Sequence, residues 1–329
     1  MGKQDWHTTL GPLAPLYDDP DVLEIMVDGP DRVLVERAGQ LQEADVCFAS
    51  AEELHEIIRT ILAIGGVTLG PDETIGDVRL PGGSARMLAV LPPTALQGPY
   101  LVLRKFPAAT FGWDQLIEWG FITSEGLDLL LGALQARVNL LIAGGTGSGK
   151  TTVANLLAGR IPPEKRLVVV ESVHEMHIEH PRAIFLEAGG PTNVAQDELI
   201  STASKMRPDW LIVGELYTSA ALRAMEVLSR GHSGIATIHA NDPEDALARI
   251  ESLCLMANLG LGLGEIRTLI AAALRVITCQ EHLPSGKRRM MQIVEIVGLD
   301  GDRYVLQPLA RYNPETDRLE ATGIQPGWM

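Results

Sequence analysis

Short apolar runs that alternate with polar residues fill the first third of the chain. These runs are VLEIMV (22–27), RVLVER (32–37), DVCF (45–48), DVRL (77–80), ARMLAVL (85–91) and PYLVLRKF (99–106). A period of two is typical of half-buried strands, and turn residues such as Asp28-Gly29-Pro30 separate the runs. AEELHEIIRTILAIG (51–65) has helical periodicity instead, and Ser50 with Glu53 forms a capping signal at its start. This part is predicted to be a small α+β domain.

The pattern changes in the second part, where apolar runs become continuous. Four of them are strand candidates: NLLIAGG (139–145), RLVVVES (166–172), WLIVGEL (210–216) and ATIHAN (236–241). Continuous apolar strands alternating with helical segments predict a parallel sheet covered on both faces, so the expected class is α/β. FPAATFGWD (106–114) has Pro and Gly but little periodicity. We therefore expect an N-terminal domain over 1–105, a linker over 106–115 and a larger domain over 116–329.

Composition narrows the possible partners. The 329 residues carry a net charge of −15, which disfavours general binding of nucleic acid or of an anionic membrane surface, and no sequence-specific nucleic acid binding is expected. Lys287-Arg288-Arg289 is a short basic run that we interpret as a solvated turn. No apolar run reaches the roughly 18 residues of a membrane span. The three cysteines are far apart and form no metal or redox motif.

The strongest chemical signal is the segment after the first continuous run. It fits G-x-x-x-x-G-K-[ST] and is followed by a second threonine; its residues are Gly144, Gly145, Thr146, Gly147, Ser148, Gly149, Lys150, Thr151 and Thr152. Glycines let main-chain N–H groups close around phosphate oxygens at a helix N-terminus. Lys150 would face the β- and γ-phosphates, and Thr151 would offer a hydroxyl to Mg²⁺. The segment predicts binding of ATP with Mg²⁺.

Acidic residues and histidines follow the other strand candidates. Ligands of parallel α/β sheets collect at the carboxyl ends of strands, where Glu215 and Glu171 are expected. Glu215 is predicted to hold Mg²⁺ or to orient water, and either Glu171 or Glu175 could polarise the attacking water. His239 and His232 could link a phosphate to a moving loop, although a histidine taken alone is more often a purely structural residue.

Four segments together resemble the traffic ATPases of type II and type IV secretion, pilus assembly and conjugation. In the family's order, GGTGSGKTT resembles the Walker A motif, VVVESVHEM the Asp box, MRPDWLIVGE the Walker B segment and GHSGIATIHAND the His box. LEIMVDGPDRVLVERAGQL and LVLRKF resemble that family's N-terminal domain. The resemblance covers roughly residues 10–300 and implies a RecA-like P-loop motor domain. The family's zinc-binding cysteines are absent, so the chain is most similar to the compact conjugal-transfer and type IV secretion branch.

This resemblance carries further expectations. It implies an ATP-hydrolysing homohexamer in the cytoplasm that associates with inner-membrane secretion or pilus machinery through partners. Lys150, Glu171, Glu175, Glu215 and His239 match motif positions, and Arg104, or less well Arg86, matches an N-domain arginine that reaches the nucleotide. Ser172 stands where the family usually has Asp, and Tyr217 where it usually has Arg; we hypothesise that the two face each other as a neutral pair.

Three alternatives stay open from the sequence. One is a pilus assembly or retraction ATPase of the tight-adherence type, which sequence separates poorly from a conjugal motor. Another is an ATP-binding regulatory or scaffold protein with little hydrolysis, a lesser alternative that the departures at Ser172 and Tyr217 keep open. The third is a DNA helicase, disfavoured by the acidic charge.

Overall fold

A computed structural model describes residues 6–37, 40–81, 85–105, 111–189 and 194–328. The chain divides into two units, Met1–Ala109 and Thr110–Met329. Half of the predicted linker, residues 106–110, lies outside the described residues. No helix within the described ranges is long and apolar enough to span a bilayer.

The first unit is built on a six-stranded antiparallel sheet. Its helices are α1 (Trp6–Thr9), α2 (Ala14–Asp18) and α3 (Ala51–Ile64), and its strands are β1 (Val22–Asp28), β2 (Val33–Arg37), β3 (Gln40–Ala44), β4 (Ile75–Arg79), β5 (Ala85–Val90) and β6 (Tyr100–Lys105). The strand order is β3-β2-β1-β6-β5-β4. The side chain of Ser50 accepts a hydrogen bond from the Glu53 N–H, which confirms the predicted start of α3.

One predicted strand is wrong. DVCF is irregular, and the third strand is the preceding segment, β3, which pairs with β2 through Val33↔Ala44 and Arg37↔Gln40. β3 is an edge strand with mostly exposed side chains, so it has no apolar run that would identify it. Phe48 is buried in the core of this unit, but its N–H donates to the Pro30 carbonyl rather than to a strand.

The second unit contains a nine-stranded sheet with helices on both faces. Its helices are α4 (Trp113–Glu118), α5 (Ser124–Gln135), α6 (Lys150–Ala158), α7 (Gln196–Lys205), α8 (Thr218–Ser229), α9 (Pro243–Met256) and α10 (Leu263–Ala273). Its strands are β7 (Leu140–Gly144), β8 (Leu167–Glu171), β9 (Ala183–Glu187), β10 (Trp210–Val213), β11 (Ser233–Ile238), β12 (Val276–His282), β13 (Arg288–Asp300), β14 (Arg303–Asn313) and β15 (Arg318–Ala321). The four predicted continuous runs all form strands, β7, β8, β10 and β11.

The strand order is β15-β14-β13-β12-β7-β11-β10-β8-β9. β12, β7, β11, β10, β8 and β9 are parallel, whereas β13, β14 and β15 add an antiparallel extension to β12. Alternate residues of one strand belong to different cores: Leu141 packs with α8–α10, whereas Leu140 packs with α5 and α6. The parallel strands are therefore buried on both sides, as their continuous apolar runs predict.

Candidate functional site

The carboxyl ends of four adjacent parallel strands meet at one edge of the second sheet. The register pairs Val213 of β10 with Val170 of β8 and Ala236 of β11, and pairs Ile238 of β11 with Ala143 of β7. The residues that follow these positions are therefore brought to the same edge. They include Gly144, Glu171, Glu215 and His239. This is the edge at which doubly wound sheets bind ligands.

The loop between β7 and α6 has the conformation of a phosphate cradle. Gly147 and Gly149 have φ angles of 68° and 98°, a region that side chains disfavour. A Cβ atom at Gly145 or Gly147 would meet nothing within 4 Å, so no side chain or main chain packs against the loop at these two positions. Lys150 begins α6, and its Nζ donates to the carbonyls of Gly144 and Gly145, each at 2.9 Å. Its ammonium group is thus held over the loop.

His239 touches the cradle through both of its ring nitrogens. Nδ1 lies 3.3 Å from the Nζ of Lys150, and Nε2 lies 3.1 Å from the Oγ1 of Thr146. An ammonium group can only donate, so Nδ1 is the acceptor and the proton of the neutral ring is on Nε2, which donates to Thr146. Residues at the end of β11 are therefore coupled directly to the predicted phosphate-binding loop.

Glu171 is buried, with 4% of its surface exposed, and its carboxylate is fully engaged. Oε1 accepts from the N–H groups of Glu175 and Met176, both at 3.0 Å, and Oε2 accepts from Nδ1 of His174 at 2.7 Å. These bonds wrap the segment after β8 around the carboxylate. Glu171 therefore fixes the loop that carries Glu175.

Hydrogen bonds to the main chain fix the position of Glu215. Its carbonyl accepts from Nε2 of Gln196 at 2.9 Å, and the hydroxyl of Thr237 donates to the carbonyl of Gly214 beside it. Glu215 lies two residues beyond the end of β10 and is partly buried. Thr151 and Thr152 are partly buried in the first turn of α6. A hydroxyl and a carboxylate are the hard oxygen donors that Mg²⁺ takes, so the residues present fit that ion.

Arg104 belongs to the first unit. It lies exposed on β6, paired with Glu24 of β1 and Arg86 of β5. Burial raises the pKa of Glu24, and the nearby Arg104 cation opposes that rise. Arg86 donates through Nε to Asp77 at 2.6 Å, so its guanidinium is already engaged within the sheet.

The basic run at 287–289 corrects the sequence interpretation. Arg289 is only 5% exposed and makes two 2.8 Å bonds to Asp317, so this segment is not simply a solvated turn. Its neighbour Arg288 donates through Nε to the carbonyl of Gly147, at 2.6 Å, in the phosphate-binding loop. Sequence reasoning missed this contact because the two residues are far apart in the chain and share no motif.

A family model described as "Type II/IV secretion system protein" matches residues 7–297. The chain belongs to this family. It is similar to the conjugal transfer protein TrbB of Rhizobium radiobacter, at 29% identity over 315 residues, which covers 92% of this chain and 93% of the relative. It is also similar to the protein VirB11 of Agrobacterium tumefaciens, at 29% identity over 292 residues, covering 79% and 84%.

Among solved structures, the ATPase DotB of Legionella pneumophila has the same fold. The TM-score is 0.62 at 16% identity, with 88% of this chain and 81% of the other covered. Together with the family match, this confirms the resemblance to secretion ATPases and the predicted α/β class with a RecA-like P-loop domain and a smaller α+β domain. In this member of the secretion family, Tyr217 is the N-cap of α8 and is 46% exposed, and Ser172 is partly buried.

Proposed function

We propose that this chain hydrolyses MgATP and works as a homohexameric motor in a conjugal-transfer or type IV secretion machine. The observation that carries the proposal is the contact of His239 with Lys150 and Thr146. Phosphate oxygens entering the cradle compete for the ammonium group of Lys150 and so disturb the hydrogen bond to His239. His239 lies between β11 and α9, so a change in its hydrogen bonds would shift these elements. Binding and hydrolysis of the nucleotide could in this way be coupled to a conformational change.

The residues of the cradle have distinct parts in this proposal. The main-chain N–H groups from Gly145 to Thr152 bind phosphate, with the N-terminal end of α6 adding a positive dipole. Thr151, and Glu215 directly or through water, would hold Mg²⁺, which neutralises phosphate charge when bound. Glu171 has both oxygens engaged, so we assign it the positioning of Glu175. Glu175 and Glu215 are then the candidates that orient the attacking water.

The finer parts of the proposal concern assembly. Arg104 belongs to the first unit, so its use at a nucleotide site requires residues from both units and, by family pattern, from neighbouring subunits. We propose the same domain boundaries as the sequence predicts. The N-terminal domain covers 1–105, the linker 106–115 and the P-loop ATPase domain 116–329. The ring is proposed to lie in the cytoplasm and to reach the inner membrane through secretion or pilus proteins. This is supported by the similarity to a conjugal transfer protein and by the membership of the type II/IV secretion family.

A second function is favoured by the residues at 172 and 217. Ser172 and Tyr217 both lack the charge that the family usually places there, and charged groups near the phosphates stabilise the transition state more than the bound nucleotide. A protein that binds ATP and hydrolyses it very slowly would act as a nucleotide-gated scaffold.

Phosphate release and nucleotide affinity, measured together, test these functions. The wild-type chain should bind MgATP, release phosphate and form a hexamer in light scattering. Lys150→Ala should keep its circular dichroism spectrum and lose hydrolysis by about 100-fold or more, because a preorganised charge is removed. Lys205→Ala, at an exposed lysine that ends α7, is the matched control and should behave as wild type.

Three results distinguish between the proposed functions and test the roles assigned to individual residues. Binding without hydrolysis in the wild-type chain selects the scaffold. Unchanged hydrolysis in Lys150→Ala removes the assignment of the cradle. Full activity of a monomeric 116–329 fragment removes the roles of Arg104 and of the ring.

A further inference from the structure

The hairpin formed by β12 and β13 lies against the phosphate-binding loop. Gln280 of β12 is paired with Gly144 at the end of β7, and a Cβ atom added at Gly144 would lie 2.5 Å from the Gln280 carbonyl oxygen. β12 continues to His282, and the chain returns at Arg288, which is paired with His282. The hairpin therefore brings the beginning of β13 next to the middle of the loop.

Arg288 holds one peptide unit of that loop. Its Nε donates to the carbonyl of Gly147 at 2.6 Å. The carbonyl belongs to the peptide that joins Gly147 to Ser148, and the C=O and N–H of a trans peptide point in opposite directions. A carbonyl held on Arg288 therefore turns the N–H of Ser148 away from Arg288 and towards the Gly145 carbonyl, with which it makes a long bond of 3.4 Å that a phosphate oxygen would replace. Gly147, with φ at 68°, is the residue whose backbone would otherwise be the freest to rotate.

The direction of Arg288 is fixed by its neighbour. Arg289 is nearly fully buried, bonds Asp317 through Nε and Nη2, and donates from Nη1 to the carbonyl of Trp119 at 2.9 Å. Successive side chains of a strand point to opposite faces, so anchoring Arg289 on one face directs Arg288 to the other. The cluster around Asp317 thus supports a contact made on the opposite side of the strand.

We infer that Arg288 is a positioning residue of the nucleotide site: it orients the Gly147–Ser148 peptide for the phosphates of a nucleoside di- or triphosphate. The inference rests on the proposed nucleotide binding and adds a residue from a hairpin that the sequence motifs do not include. The effect is transmitted through one hydrogen bond from Nε. It does not require the positive charge of the guanidinium group.

Three substitutions separate the hydrogen bond from the charge. Arg288→Ala removes both. Arg288→Gln keeps a side-chain nitrogen donor at the same distance from the backbone and removes the charge, because the two side chains are the same length up to that nitrogen. Lys287→Ala is the matched control: it removes the adjacent cation, whose Nζ bonds Asp317 at 2.7 Å rather than the loop.

The readout is the dissociation constant of MgADP, measured by calorimetry on the full chain, with AMP as a second ligand. Because the inference assigns the effect to the hydrogen bond and not to the charge, the loss expected is that of a neutral hydrogen bond, about two- to tenfold. Arg288→Ala should bind MgADP about fivefold more weakly, Arg288→Gln should recover most of that loss, and Lys287→Ala should match wild type. Binding of AMP, which has no β-phosphate, should change by less than about twofold.

The outcomes distinguish a failure of this inference from a failure of the proposed nucleotide binding on which it rests. A wild-type chain that does not bind MgADP overturns the proposed function and the inference together. A wild-type chain that binds MgADP, with Arg288→Ala binding equally well, overturns the inference alone. If Arg288→Gln is as weak as Arg288→Ala although both fold by circular dichroism, the charge and not the peptide contact matters, and the positioning role is wrong.

Discussion

A methyl group at Gly214 would enter space that Glu171 already fills. Gly214 directly follows β10, and a Cβ atom built there would lie 2.7 Å from Cγ and 3.3 Å from Oε1 of Glu171. Glu171 cannot simply rotate away, because three hydrogen bonds hold its buried carboxylate. Gly214→Ala must therefore displace either the strand end or the loop from Glu171 to Met176.

The expected size follows from overpacking. Forcing a group into a packed site costs about 1–3 kcal/mol. For a unit of this size, each kcal/mol lowers the melting temperature by about 2–4 °C, so the fall should be about 2–12 °C. ATP hydrolysis should fall as well, because the loop carries Glu175. Circular dichroism melting of the full chain and phosphate release measure the two effects.

Gly264→Ala is the matched control for Gly214→Ala. Gly264 is inside α10, and its added Cβ would have only an Asp302 oxygen at 4.0 Å. Alanine is favoured over glycine in a helix by about 0.5–1 kcal/mol, so this variant should melt at the same temperature or higher. A melting temperature for Gly214→Ala that is unchanged, or raised as in Gly264→Ala, would refute the reasoning from Glu171.

Three further predictions concern charge, thiols and the two family departures. Bonds from Arg289, then Lys287 and Tyr312, lower the pKa of Asp317 well below its ordinary value, so its stabilisation is present above about pH 4 and is lost as the pH falls. Asp317→Asn should therefore melt lower than wild type at pH 7, with the gap closing below about pH 4; a gap that widens in acid contradicts this. Burial raises the pKa of the thiols of the two buried cysteines, so a thiol reagent should modify only Cys47 until the chain unfolds, and fast labelling of all three in native buffer would disprove the packing. Ser172→Asp with Tyr217→Arg should recover most of the ATPase activity lost by either change alone, and a double-mutant coupling energy of zero would show that the two positions are independent.

The fold was predictable where the hydrophobic pattern of a single segment identifies its secondary structure. The runs that became β7, β8, β10 and β11 are apolar throughout, because both faces of a central parallel strand are buried. β3 and β9 were not found: each is at an edge of its sheet, where exposed side chains remove the periodicity. The extension β13–β15 was missed as well, since its order depends on long-range pairing rather than on local composition.

Only some features of the candidate site were predictable from the sequence. The cradle and His239 were found because short motifs name them, and the structure brings the ring of His239 to Thr146 and Lys150. The engaged state of Glu171 could not be predicted, since it depends on how the chain folds back after β8. Arg288 had no local signal at all. Whether Arg104 serves the nucleotide stays a prediction.

The place of β7 in the sheet also affects how the protein is made. Both hydrogen-bonding partners of β7 come later in the chain: β11 begins at Ser233 and β12 at Val276. Every strand of the first unit, in contrast, finds its partners before residue 106. During translation the first unit can fold while β7 waits with two unpaired edges, and such long-range closure is slow. Premature termination before Val276 would leave apolar β7 open along one edge, so truncated chains should aggregate rather than compete for nucleotide.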